Sequence, residues 1–297
     1  MKFEEPSIRA VHDWMGLAKT LTVDSDIQPW SVTSVKISTQ PKILIAFLII
    51  GLVFPQQAFP WGRTGHAVVA DIAQAQLTPV AAAQVQRLLA VEGAKNLSDI
   101  SSWADAAKRD GLAGSPSHTI RLPLDNTPPG PHPCPGHFCA DDALTLYGAI
   151  LADPKRSDIE REIALKYIVH LVGDLQQPLH DTDATGSGIK VVFDGKQTEL
   201  HAVWDDEIIA EHGGNASQIA NELMKSGKVV VAGGTPMDWA KEGLVIAQNQ
   251  IYDTVPRHPS AIVILPPDYG RTKWPIVEQR LLQGGLRLAA LLNSLLQ

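Results

Sequence analysis

The chain has 297 residues, 44% hydrophobic and 19% charged, an ordinary globular composition that excludes a disordered or fibrous protein. Its formal charge is −7, and residues 1–60 balance five basic groups against five acidic ones, so the whole surplus lies in residues 61–297. Such an acidic body excludes polyanion binding through a broad basic surface, and any anionic substrate needs a local source of positive charge.

In chain order, residues 1–41 show no clear periodicity and read as an N-terminal extension. Lys42 then precedes ILIAFLIIGLVF, twelve uncharged apolar residues. That run is short for a bilayer span but suits the h-region of an export signal. With the small residue Ala58 behind it, residues 42–60 read as a signal peptide, and WGRTGH begins the mature chain at Trp61. Residues 61–297 read as one domain, mostly helical and without internal repeats. Thr78-Pro79 opens a helix with an N-cap and a first-turn proline, running to Gly93. A second carries SDISSWADAAKRD and a third DDALTLYGAILAD. SDIE at 157–160 is a capping box that starts a long helix through REIALKYIVHLVGDLQQ to Pro178. IKVVF at 189–193, followed by Asp194-Gly195, predicts a short β-hairpin arm. ELHAVWDDEIIAEH returns to helix, Asn215 and Thr235-Pro236 open two more, and VEQRLLQGGLRLAALLNSLL predicts a terminal helix along the core. The linkers are Pro/Gly-rich, at 111–136, 181–188 and 253–271.

Cys134 and Cys139, in CPGHFC, are the only cysteines. They could bind metal or bond to each other, and the oxidising destination of an exported chain favours the disulfide. The chemistry concentrates in histidine and aspartate. His170 and Asp174 stand four apart on the inward face of the long helix, and alone would read as a satisfied core pair. They are not alone. His180 follows Pro178, His201 and Asp205 repeat the spacing, and His118, Asp105 and His66 add three more. Five histidines and three aspartates, with no thiolate among them, suit zinc or a similar ion in a hydrolytic site. Eight side chains exceed the needs of one tetrahedral ion and predict a multinuclear centre with a bridging carboxylate.

HLVGDLQQPLH followed by ELHAVWD resembles the signature of the S1/P1 nuclease family, zinc-dependent single-strand nucleases of fungi, plants and bacteria. The resemblance extends through WGRTGH, WAD, the histidine at 118, the cysteine pair and GGLRLAALLN. It implies a mostly α, single-domain helical bundle of the phospholipase C/P1 nuclease type with a short β-hairpin, holding three zinc ions. Residue by residue, Asp105, His118, His170 and Asp174 would hold one ion, and His180, His201 and Asp205 a second. Trp61, through its terminal amine and carbonyl oxygen, would hold the third with His66 and Asp174. Asp105, Asp174 and Lys108 would be the catalytic side chains, Lys108 standing where the family often has a basic phosphate contact. Substrates would be single-stranded DNA or RNA, cut to 5′-phosphorylated nucleotides, and 3′-nucleotides. The protein would be secreted or periplasmic, monomeric, and without stable membrane association after cleavage. Thr119 and Arg121 depart from the family pattern, which commonly has an aromatic residue and then Asp or Asn there. Two other readings are a phospholipase C-type lipid phosphodiesterase and a non-catalytic exported zinc-binding protein.

Overall fold

A computed structural model describes residues 61–297, and the expected extension and signal peptide lie outside the described residues. Capping residues set most helix starts. Thr78 caps α2 (Pro79–Leu89), Ser157 and Glu160 form the capping box of α6 (Asp158–Asp174), and Asn215 and Thr235 cap α9 (Ala216–Lys225) and α10 (Pro236–Ile246). The other helices are α1 (Arg63–Ala75), α3 (Leu97–Ile100), α4 (Trp103–Arg109), α5 (Ala140–Ala152), α7 (Leu200–Ala202), α8 (Ile208–His212) and α11 (Tyr269–Leu295). A π-helical segment, Val203–Glu207, joins α7 to α8. The fold is mostly α, as expected.

The core forms around α6, which is buried through nearly all of its last three turns. α11 lies along α1, and Gly284-Gly285 permits the approach: a Cβ at Gly285 would overlap the Ile72 side chain, and one at Gly284 would fall 2.8 Å from Gln176. Cys134 and Cys139 are disulfide-bonded, bracing the turn ahead of α5. Among the described residues no helix is long and apolar enough to cross a membrane.

The hairpin pairs β1 (Lys190–Phe193) with β2 (Lys196–Glu199), antiparallel from Lys190↔Glu199 to Phe193↔Lys196. Asp194 and Gly195 both take positive φ, the geometry of a tight two-residue turn. β2 runs directly into α7, so the hairpin delivers His201.

Five features differ from the sequence reading. α1 and β3 (Val263–Ile264, parallel to β1) were not expected. The second helix is two, α3 and α4, broken at Ser101-Ser102. The long helix stops at Asp174, where the amides of Gln176 and Gln177 tighten onto the carbonyls of Gly173 and Asp174 and Gln177 turns extended ahead of Pro178; Arg280 donates to the next carbonyls, of Leu175 and Gln176, each at 2.9 Å. The terminal helix starts at Tyr269 and accommodates Pro275 inside it.

Candidate metal centre

Six segments deliver the candidate side chains to one buried place. The last turn of α6 supplies His170 and Asp174, and the tight turn after it supplies His180. α4 supplies Asp105, the loop before Leu122 supplies His118, α1 supplies His66, and α7 with its π segment supplies His201 and Asp205. All eight are buried.

Around Asp174 the spacing is that of ligands about one point. Nδ1 of His118 lies 3.3 Å from Asp105 Oδ1 and 3.4 Å from Asp174 Oδ2. Nε2 of His170 lies 3.3 Å from Asp105 Oδ1, 3.2 Å from Asp174 Oδ2 and 3.1 Å from His118 Nδ1. Zinc–ligand bonds of 2.0–2.1 Å give a tetrahedron with edges of about 3.3–3.4 Å. Five of its six edges are these five distances. The other oxygen of Asp174 faces elsewhere, 3.3 Å from His66 Nε2 and 3.9 Å from His180 Nδ1. One carboxylate thus serves two groups. In the next group His201 Nε2 is 3.3 Å from both His180 Nε2 and Asp205 Oδ2. That is a triad with three ligand atoms, one short of a closed tetrahedral set.

Backbone carbonyls fix the imidazole orientations. Nδ1–H of His170 donates to Ser101 O at 2.8 Å, that of His180 to His118 O at 3.1 Å, and that of His201 to Thr185 O at 2.5 Å. Each leaves Nε2 pointing into the cluster. The break between α3 and α4 is what turns the Ser101 carbonyl toward His170. Gln177 donates from Nε2 to Asp205 Oδ1 at 2.6 Å and leaves Oδ2 for the triad.

The electrostatics describe a site built for added positive charge. Burial lowers His118, His201 and His180, the last to about 3, so these rings are neutral and able to ligate near pH 7. Burial also opposes charge on His170, but Asp174 and Asp105 outweigh it and raise that ring to about 10. Burial works against the Asp174 carboxylate too, yet His170 holds it well below the usual range. Asp205 is pushed well above that range by burial. Both oxygens of Asp174 and Oδ2 of Asp205 face only histidine nitrogens, at distances of 3.2 Å or more and without hydrogen-bond geometry. A buried carboxylate without donors is costly, and a multivalent cation removes that cost. Donor types, spacing and orphaned oxygens therefore fit divalent cations of the zinc class. Cys139, near Asp141 and Asp142, is held in its disulfide and is no ligand.

The remaining expected residues lie around this centre. Trp61 is fully buried, and the next amide, Gly62 N, donates to Asp205 O at 3.0 Å. A Cβ at Gly62 would overlap the Asp206 carboxylate, which would have to swing aside for any larger residue after Trp61. Gly173 has a similar role, since a Cβ there would meet His66 Nδ1 at 2.7 Å. Lys108 is exposed on α4, and its charge adds a small lowering of His118 to that of burial. Arg121 is exposed and bears in the same way on His201. Thr119 is half-buried and shares a 2.9 Å hydrogen bond with Ser117. The sequence reading had no role for Gln177, Asp206 or the carbonyls of Ser101 and Thr185. Only the glutamine pair before Pro178 offered a signal, and it offered no partner.

A helical fold that gathers five histidines and three aspartates in one buried place defines a protein with a candidate metal-binding centre. The family model described as S1/P1 Nuclease matches residues 61–297, and the chain belongs to that family. It is 28% identical to Nuclease S1 of Aspergillus oryzae over 272 residues, covering 82% of this chain and 94% of that one. It is 27% identical to Nuclease P1 of Penicillium citrinum, covering 79% and 97%. It is 28% identical to Endonuclease 2 of Arabidopsis thaliana, covering 79% and 90%.

Proposed function

We propose that the protein is an exported zinc-dependent phosphodiesterase, cutting single-stranded DNA or RNA to 5′-phosphorylated nucleotides and removing phosphate from 3′-nucleotides. The observation that carries this reading is the pair of Asp174 oxygens, one facing His118 and His170, the other facing His66. That arrangement suits Asp105, His118, His170 and Asp174 to one zinc ion, and His66, Asp174 and Trp61 to another. His180, His201 and Asp205 suit a third ion with room for a non-protein ligand. Bound zinc supplies Lewis-acid activation of water and neutralises charge on the phosphoryl oxygens.

The chain's own residues do the rest. Asp174 holds two sites at a fixed separation. The carbonyls of Ser101, His118 and Thr185 hold the imidazoles in the ligating tautomer. Lys108 and Arg121, exposed beside His118 and His201, attract a phosphate toward the centre within an acidic protein. Single strands are favoured because an unpaired base reaches a site beside a buried centre without first being unstacked.

The test is hydrolysis of denatured DNA, RNA, 3′-AMP and phosphatidylcholine, with and without chelator. The expected result is cleavage of the first three, abolished by chelation and restored by zinc. Hydrolysis of the lipid alone would replace this reading with the phospholipase one, and a zinc-loaded protein inert on all four would end it.

Gln177→Ala removes the amide that orients Asp205 without removing a ligand. Zinc retention at the His180–His201–Asp205 triad should weaken about 10–100-fold, in the range for outer-shell partners. Competition with a chromophoric chelator reads this directly. Undiminished retention would mean that Asp205 needs no such orientation.

A further inference from the structure

The loop Asp183–Gly188 has two sides. On one, the Thr185 carbonyl holds His201, and Gly186 lies so close that a Cβ there would be 3.3 Å from His201 N. The same loop walls a groove of about 610 Å³, completed by β1 and the segment from Tyr252 to Ile262. Its lining carries two cations, each held by one carboxylate, Arg257 by Asp183 and Lys190 by Glu199. Arg257 Nη2 donates to Asp183 Oδ2 at 2.7 Å, which aims the guanidinium. Asp183 is itself held, accepting the Leu124 amide at 3.0 Å on its other oxygen. Tyr252, whose hydroxyl donates to Ala184 O at 2.7 Å, places an aromatic ring in the lining. A planar cation, a lysine and an aromatic ring in a groove of nucleotide size match the needs of a single strand's phosphates and bases.

We infer that this groove, on the far side of the His201-holding loop, is an accessory subsite for a nucleotide flanking the one being cleaved. Arg257 and Lys190 bind its phosphates and Tyr252 supports its base. This rests on the nuclease reading above. The groove makes a polynucleotide bind better than a mononucleotide, which is too short to reach it.

The experiment compares parent, Arg257→Ala and Lys190→Ala as zinc-loaded proteins. It measures kcat/KM on a short single-stranded oligothymidylate and on 3′-AMP. It also measures the affinity for a fluorescein-labelled oligothymidylate with non-hydrolysable linkages over a range of salt. Selectivity for oligonucleotide over 3′-AMP should fall about tenfold for Arg257→Ala, the size of one charge-assisted hydrogen bond, and severalfold for Lys190→Ala. The slope of log affinity against log salt should shrink by about 0.7 for each phosphate that the variant leaves unneutralised. Lys190 is the control against loop damage, because its ion pair is with Glu199 on the hairpin and not with Asp183. Equal loss on both substrates in both variants, or an unchanged salt slope, would overturn the subsite. A parent protein that cleaves neither substrate would instead overturn the nuclease reading.

Discussion

Asp174→Ala should abolish phosphodiester cleavage and cost the protein more than one metal ion, whereas removal of a ligand serving one site costs only one. The reason is geometric. Oδ2 of Asp174 stands among His118 and His170, and Oδ1 stands against His66. Removing the side chain takes a negative ligand from two sets at once, leaving Asp105 as the one anion beside His118 and His170 and none beside His66. Lewis-acid stabilisation is worth several kcal/mol, so the rate should fall by about 10³-fold or more. Asp174→Asn separates charge from shape, since it keeps the volume and one oxygen but loses the carboxylate. It should retain the fold by circular dichroism and still bind fewer ions by mass spectrometry of the native protein. A fully active, fully loaded Asp174→Ala protein would rule out the bridged arrangement.

What the sequence disclosed about this centre follows the range of each interaction. His170 with Asp174, and His201 with Asp205, were legible because a helix brings residues four apart onto one face. Asp105 and His118 carry no such local mark. They counted among the eight candidate ligands, but their convergence depends on how α4 and the loop before Leu122 pack against α6, and only the resemblance assigned them to one ion with His170 and Asp174. The carbonyls that orient three imidazoles were invisible, because every residue has a carbonyl and only the tertiary fold aims it. The fold shows the same division. Thr78, Ser157, Asn215 and Thr235 announced their helices through side-chain caps that the structure contains. α1 went unseen because it enters from Gly62 with no side-chain cap. β3 is two residues long, and its partner β1 lies far back in the chain. Pro275 reads as a stop signal, yet α11 carries it, since packing against α1 and α6 outweighs one missing hydrogen bond.

Protein beginning at Trp61 and protein retaining Phe59-Pro60 should differ in metal content by one ion, and the longer form should be at least about 10²-fold less active. The described part of this region is firmly placed. Trp61 is fully buried, Gly62 N is bonded to the carbonyl of the proposed ligand Asp205, and the Asp206 carboxylate lies over Gly62. His66 N donates to Gly62 O at 3.2 Å, which ties the start of α1 to the same turn. A free α-amino group titrates near neutrality and offers a lone pair. The nitrogen of a peptide bond has that pair delocalised into the carbonyl and does not. Cleavage before Trp61 would therefore create a ligand atom, in addition to removing a leader. The sequence makes this bond a demanding one, because Pro60 precedes it and the small residue Ala58 that suits an export peptidase lies two positions earlier. A cut after Ala58 leaves Phe59-Pro60 in place and requires a second trimming step. Mass spectrometry of the exported protein identifies the terminus, and metal analysis with 3′-AMP hydrolysis on the two purified forms measures its effect. Equal metal content and equal rates in both forms would remove Trp61 from the centre and leave His66 and Asp174 to hold that site without it.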